Sequence, residues 1–358
     1  MKKDGQSRIL VLRYRFIGDT ILTVPFLRNL RQAEPGAVIH LVLAPVSGEV
    51  LKGIPYVDRI FYWDPQTIHG DCLGTHSTMR RKLEFIRKLR SFHYTKVYVL
   101  KRSFSSALMG YLTGASERIG FDTEKRGFLL TKRIPYAHNL HEVQNFLNCL
   151  RYDDIRISDD HLDTWISESE RKEASNLLLN QGWEEGEPVL AIHPFSAVRE
   201  RSWPLKRFIQ LANYVSSKYG WPVLWLGGKN DLIYEDEVLS GFKGKAIMAI
   251  GCTDIRQSMA LISLTRLFVG NDSGIMHLAA ALNVPLVAIF GPQSEIKFGP
   301  WGARDRCRII SRRFPCHPCR QKFFSECEPG PEGRPLCLES ISIKEVMEEI
   351  DHLIQDLG

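Results

Sequence analysis

Neither G-x-G-x-x-G nor G-x-x-x-x-G-K-[ST] occurs anywhere in the 358 residues. Those absences argue against a dinucleotide-dependent dehydrogenase and against a P-loop enzyme, whose phosphates sit on those glycine turns. Long apolar runs are missing too, and none approaches the roughly 18 residues that span a bilayer. Ile9-Leu10-Val11-Leu12 is cut by Arg13 and Arg15, so the expectation for this stretch is a first strand and not a signal peptide. There is no short-period repeat and no low-complexity tract. The expectation is a cytoplasmic globular protein.

Cysteine is sparse outside one region. Cys72, Cys149, Cys252 and Cys307 are scattered and read as ordinary reduced thiols. Cys316-x2-Cys319, Cys327 and Cys337 cluster at spacings that could hold zinc, although His317-Pro318 interrupts the first knuckle and the later gaps are loose. No metal is assigned to the site, and whether these four thiols bind one stays open.

What is present fits two ordinary domains. The hydrophobic share of 44% and the charged share of 25% are those of a globular chain too long for one core. The net charge of +6 is uneven: residues 1–165 carry 25 Lys and Arg against 17 Asp and Glu, leaving 22 against 24 for the remainder. An electropositive first half favours an anionic partner such as a lipid phosphate, a membrane surface or nucleic acid, with a merely solvated surface as the plain alternative. Much of the excess lies in a helical stretch over residues 79–92, which holds Arg80, Arg81, Lys82, Arg87, Lys88 and Arg90.

The apolar pattern alternates strand and helix twice over, the signature of α/β layering. Strands are expected at 8–14, 37–44, 57–63 and 96–100, with helices at 48–53, 79–92, 103–112 and 138–151. The helix after the first strand carries Ile21, Val24, Leu27 and Leu30 on one face and has its first turn distorted by Pro25. An acidic passage over 153–163 leads to the second half, which has helices at 168–181, 204–219 and 255–263 and strands at 189–193, 222–226 and 246–250. The expected domains are residues 1–165 and 166–340, with a terminal helix in 341–358 whose partner sequence does not reveal.

The strongest segment runs from Leu267 to Gly291. Apolar runs at 267–269 and 284–290 suit strands buried on both faces, so the residues between them form a crossover helix. Asp272 or Ser273 caps that helix, Gly274 admits a close ligand, and the unpaired first-turn amides make an anion site suited to a pyrophosphate. Asp19, at the end of the first strand, stands where ligands bind in open α/β sheets. It is either a proton acceptor or a plain helix cap.

Gly18-Asp19, His193-Pro194 with Arg201-Ser202-Trp203-Pro204, Leu226-Gly227-Gly228, Asn271-Asp272-Ser273-Gly274 with His277, and Phe290-Gly291-Pro292 together resemble glycosyltransferase family 9, the bacterial lipopolysaccharide heptosyltransferases. The resemblance covers nearly the whole chain in order. It implies a GT-B fold of two Rossmann-like doubly wound domains facing across a cleft, an ADP-heptose donor, a lipopolysaccharide core acceptor and inversion without a metal or other cofactor. It implies a general-base role for Asp19 and a charge-stabilising one for Arg201, which stands where the family commonly has lysine. Gly18, Ser196, Asp231, Asp272, Ser273, Gly274 and His277 are its donor-binding residues. Arg15, within the bulky Tyr14-Arg15-Phe16-Ile17 where relatives carry small residues, is assigned to acceptor charge. The implied partners are sugar nucleotide and lipid-linked sugar, with peripheral contact at the inner membrane and no nucleic acid. The rivals are the same fold with another nucleotide-sugar donor, and a binding protein that holds a nucleotide sugar without turnover.

Overall fold

Short segments rich in valine, isoleucine and leucine become strands buried on both faces, and the intervening amphipathic segments become the helices that cover them. The computed structural model describes residues 6–14, 16–65, 74–302, 304–317 and 319–357. Contacts divide the chain into two compact units, Met1–Trp165 and Ile166–Gly358.

In the first unit the order is β1 (Arg8–Leu12), α1 (Ile17–Ile21), α2 (Val24–Ala33), β2 (Val38–Leu43), α3 (Pro45–Val50), β3 (Arg59–Tyr62), α4 (Met79–Arg90), β4 (Lys96–Val99), α5 (Phe104–Leu112), β5 (Glu117–Phe121), β6 (Lys132–Ile134) and α6 (Glu142–Arg151). All strands are parallel, in the order β3-β2-β1-β4-β5-β6. The single helix expected after β1 is two. Pro25 lacks an amide and its ring clashes with the carbonyl four residues back, so α1 stops at Ile21 and α2 starts afresh with Pro25 in its first turn. Strands β5 and β6 were not expected, because Glu117-Arg-Ile-Gly-Phe121 and Lys132-Arg-Ile134 are short and half charged. The acidic passage is not a loose tether. Asp153 binds Lys96 at 2.6 Å, Lys132 at 2.8 Å and the Tyr98 hydroxyl at 2.6 Å, and buried Arg28 holds both Asp159 and Asp163.

The second unit repeats the plan: α7 (Glu168–Asn180), β7 (Leu190–His193), α8 (Leu205–Tyr219), β8 (Val223–Gly227), α9 (Glu235–Gly241), β9 (Ala246–Ile250), α10 (Ile255–Ile262), β10 (Leu267–Asn271), α11 (Gly274–Ala281), β11 (Leu286–Phe290), α12 (Glu295–Phe298), β12 (Cys307–Ser311), α13 (Leu336–Glu339) and α14 (Ile343–Asp356). The sheet order is β12-β11-β10-β7-β8-β9, the same winding as the first. β12 is an edge strand with one buried side chain, Ile310, which is why no apolar run announced it. The terminal helix finds its partner within this unit. Val346, Ile350 and Leu353 join the core around Trp203, Phe208 and Trp225, and Asp351 accepts from the Tyr214 and Tyr219 hydroxyls of α8 at 2.6 and 2.7 Å. No helix of the described residues is long and apolar enough to cross a membrane.

A carboxylate ties α7 to α10. Glu170 accepts from Arg256 Nε at 2.8 Å and Nη2 at 2.7 Å and from the Ser167 amide at 2.8 Å. These bonds, Arg256 foremost, pull its pKa from 4.5 down to about 2 against the opposing effect of burial. A depressed carboxylate contributes stability above its unfolded pKa and loses it as pH falls through its folded one. Glu170→Gln is therefore less stable than wild type near neutral pH. The difference in urea midpoint narrows as pH falls from 4.5 toward 2, over the range in which the chain stays folded. A gap that did not change with pH would refute the ion-pair account.

Candidate active site

In both sheets the strand order reverses beside the first strand, between β1 and β4 in one and between β7 and β10 in the other. The loops leaving those strand pairs diverge at the carboxyl edge and open the crevice where doubly wound folds bind ligands. Gly18 and Asp19 follow β1, Ser196 and Arg201 follow β7, and Asp272, Ser273, Gly274 and His277 follow β10, whereas Asp231 follows β8, one strand away from the switch point.

In the first unit Asp19 lies in the first turn of α1, and its Oδ2 is 2.6 Å from Arg13 Nη2, with side-chain exposures of 19% and 10%. Arg13 itself lies over the Phe146 ring at 5.1 Å. The pair fixes the carboxylate's orientation, and the N-cap position of the helix is Phe16, not Asp19. From the facing strand end, Lys101 lies 4.2 Å over the Tyr14 ring and Arg102 lies 4.2 Å over Tyr136. The Tyr136 hydroxyl donates to Glu142 at 2.6 Å, and burial with the Glu142 and Asp19 charges pushes its pKa upward, so it stays a neutral donor. Arg13, Lys101, Arg102 and Tyr136 were missed in sequence. The available signal was that Arg13 and Lys101-Arg102 each follow a strand directly, but only the strand order makes those ends neighbours. Gly18 is buried in the first turn of α1 beside Asp19, in a different unit from the other expected donor residues. Arg15 lies outside the described residues.

In the second unit Asn271 closes β10 and is fully buried. Its Oδ1 accepts from the Trp203 amide at 2.9 Å and its Nδ2 donates to the Pro194 carbonyl at 2.8 Å, so one side chain clamps both ends of the loop after β7. Gly270 precedes it because a Cβ there would sit 3.0 Å from the His193 carbonyl and 2.9 Å from the Phe268 ring. Ser273, not Asp272, is the cap of α11, accepting from the Met276 amide at 3.4 Å. Asp272 lies in the bend between β10 and α11, its amide donating to the Ile289 carbonyl at 3.2 Å. Ser273 Oγ is also 3.4 Å from His193 Nδ1 across the switch point. Burial drops the His193 pKa to about 4, so its imidazole is neutral at physiological pH. Gly274 opens the helix, and His277 is buried one turn in.

The loop after β7 brings Ser196 and Arg201. Ser196 is half-buried, and Arg201 ends a short 3-10 turn over Arg199–Arg201. Arg201 donates to the side-chain Oε1 of Gln321 and, with the Gln293 amide turned to face it, to the Gln293 side-chain oxygen at 2.9 and 3.2 Å. Both partners are neutral, and no described acid forms a salt bridge with it, so the positive charge is positioned without being neutralised. Asp231 accepts from the Gly228 amide at 2.8 Å and braces its own turn, and burial raises its pKa.

Cys316, Cys319, Cys327 and Cys337 are free thiols lining one pocket below the end of β11. Burial and the three neighbouring thiols lift the Cys337 pKa to about 11, so it is protonated. Among the described residues no group of three or more His, Cys, Asp or Glu is arranged to hold a metal ion.

Residues 82–327 match the family profile of glycosyltransferase family 9 (heptosyltransferase). The chain is 27% identical over 361 residues to lipopolysaccharide heptosyltransferase 2 of Escherichia coli K12, covering 97% of this chain and 98% of that one. It is 24% identical over 374 residues to lipopolysaccharide heptosyltransferase 1 of Pseudomonas aeruginosa, covering 97% and 98%. In backbone shape it is similar to a family 9 glycosyl transferase of Veillonella parvula, with a TM-score of 0.83, 23% identity and 99% of each chain covered. The E. coli ADP-heptose lps heptosyltransferase II superposes with a TM-score of 0.76, 24% identity and coverage of 98% and 100%. These likenesses carry the fold, which is GT-B. With the profile spanning more than half its length, the chain belongs to glycosyltransferase family 9, the heptosyltransferases, and is a glycosyltransferase.

Proposed function

We propose that the chain transfers heptose from ADP-heptose to a lipopolysaccharide inner-core acceptor with inversion at the sugar carbon. The observation that carries this reading is the pairing of Asp19 with Arg13 at the switch point of the first sheet. An isolated carboxylate there would be free to turn, whereas the arginine fork leaves one oxygen directed and the other available. Asp19 takes the proton of the acceptor hydroxyl as its oxygen attacks the anomeric carbon. The bond to the diphosphate breaks with its electron pair leaving on ADP, so configuration inverts in one displacement.

The charge that builds on the leaving diphosphate needs fixed donors. The Gly274 and Ile275 amides of α11, the Ser196 hydroxyl and the Arg201 guanidinium supply them, with no metal called for in the reading. Asp231 accepts from the ribose hydroxyls, and neutral His193 keeps Ser273 directed. The acceptor is lipid-linked, which places the enzyme in the cytoplasm at the inner face of the inner membrane. The relatives named lipopolysaccharide heptosyltransferase support that substrate class.

A release assay for free nucleotide decides the donor. ADP-heptose with a core acceptor should turn over at least about tenfold faster than ADP-glucose, UDP-glucose or UDP-N-acetylglucosamine. Equal rates with a hexose donor would replace the sugar in this reading. Tight ADP-heptose binding with no transfer to any core acceptor would replace the enzyme by a binding protein.

A further inference from the structure

The first unit exposes an apolar stripe that its own fold does not use. On α5, Phe104, Leu108 and Tyr111 recur at intervals of four and three residues and are all exposed. Phe128, in the 3-10 turn Gly127–Leu129, is 67% exposed and lies 6.2 Å from the Phe104 ring. Helix α4 packs beside α5, with Arg90 next to Gly114 just past the end of α5, and adds Met79 at 69% exposure and Leu83 one turn on.

The turn that presents Phe128 is rigidly built. Glu124 accepts from the Phe104 amide at 2.8 Å, which binds the turn to the start of α5. Fully buried Arg126 then donates to the carbonyls of Phe121 at 2.9 Å and Ser103 at 2.8 Å, and to Ser106 Oγ at 3.1 Å. A buried guanidinium spent on backbone carbonyls holds two aromatic rings out into solvent. That arrangement fits a surface that inserts somewhere.

Cations outnumber acids around the stripe. Arg80, Arg81, Arg87, Lys88 and Arg90 are exposed on α4, and Lys125 is exposed beside Phe128. Three acids lie there, against six exposed cations: Glu84 pairs with Arg80 at 2.9 Å, Glu124 accepts from the Phe104 amide, and Asp122 lies against Gly127. Apolar side chains interleaved with unbalanced cations are what an anionic lipid surface selects, since the rings enter the headgroup boundary while the cations meet phosphates. A protein partner of ordinary composition would leave those cations unpaired.

We infer that the surface formed by α4, α5 and the Phe128 turn docks the enzyme on an anionic bilayer. The inference rests on the lipid-linked acceptor proposed above and adds a geometric reason for it. Strands β1, β4 and β5 are adjacent and parallel, so the loops bearing Asp19, Phe104 and Phe128 leave the same edge of the sheet. An acceptor anchored in the same bilayer arrives at the edge that carries the base.

Vesicle flotation tests it, using the full chain with mixed phosphatidylethanolamine and phosphatidylglycerol vesicles against pure phosphatidylcholine. Wild type should partition onto the anionic vesicles at least about tenfold more, with the excess lost in high salt. Phe104→Ser with Phe128→Ser should lower partition about tenfold at every salt concentration, and Arg87→Glu with Arg90→Glu should remove mainly the salt-sensitive part. All four side chains are exposed, so both variants should keep the wild-type urea midpoint and full transfer to a delipidated, soluble core fragment. The inference is overturned if wild type does not prefer anionic vesicles, or if the double phenylalanine variant partitions like wild type. It also falls if sedimentation shows a dimer that this variant dissociates. Failure of wild type to transfer to the soluble fragment would instead count against the heptosyl reading, whatever the vesicles show.

Discussion

The substitution Asp19→Asn should lower heptosyl transfer at least about a thousandfold, within the range a positioned base contributes, while ADP affinity stays within about twofold. An asparagine side chain would keep the shape of the carboxylate and could still accept from Arg13, so the geometry of the first turn of α1 is preserved. What it cannot do is take a proton. The acceptor hydroxyl would have to attack as a neutral alcohol, or lose its proton to water. Single-turnover transfer beside calorimetric titration of ADP separates the two effects. A kcat within about tenfold of wild type would remove Asp19 from the base role, since lesser losses are those of a positioning contact. The same substitution leaves the guanidinium of Arg13, 8% exposed, without its anion. Some loss of stability is therefore expected, and the urea midpoint should be measured with the kinetics.

Removing the Asn271 side chain with Asn271→Ala should cost about 3 kcal/mol of stability and weaken ADP binding as well. That figure follows from two buried groups left without partners, the Trp203 amide and the Pro194 carbonyl, each at about 1–3 kcal/mol and partly relieved by relaxation. Both are currently bound at 2.9 and 2.8 Å by one fully buried amide. Affinity for ADP falls because the segment from Pro194 to Trp203 carries Ser196 and Arg201, and Asn271 is what holds its two ends against β10. Asn271→Asp is instructive beside it. The carboxylate keeps an acceptor for the Trp203 amide but faces the Pro194 carbonyl with no hydrogen to give. It should therefore be no more stable than alanine. Denaturant midpoints and calorimetric ADP affinities measure both effects. A change below about 0.5 kcal/mol with unaltered affinity would mean the loop is held by other contacts.

The division between sequence and tertiary structure runs along the range of the interactions involved. Local signals sufficed for the second unit's central elements, because a strand buried on both faces must be continuously apolar and α11 must be capped by a hydroxyl or carboxylate. The stretch from Leu267 to Phe290 shows both, and Ser273 and Gly274 were legible as the capped start of that helix from residue type alone. Asp19 was legible for the same reason, as a carboxylate at the first turn after an unmistakable strand. Elements with weak local signals escaped: β5, β6 and β12 are short and mixed in composition, and register with a neighbour is what makes them strands. The break between α1 and α2 was half visible, since Pro25 marks the place but not whether the chain bends or restarts.

Sequence also determined that there would be two α/β layers and that the first half would be the basic one, and it located the capped turn of the second half that is proposed above to meet a diphosphate. Only the fold decided which strand ends adjoin. That choice put Lys101 and Arg102 at the switch point with the Arg13–Asp19 pair, made Asn271 a clamp on a loop far earlier in the chain, and set Phe104 beside Phe128. The reason is physical. Propensity, capping and burial act over a few residues and can be read from neighbours in the chain, whereas a site in a doubly wound sheet is assembled by strand order, which brings together residues far apart along it.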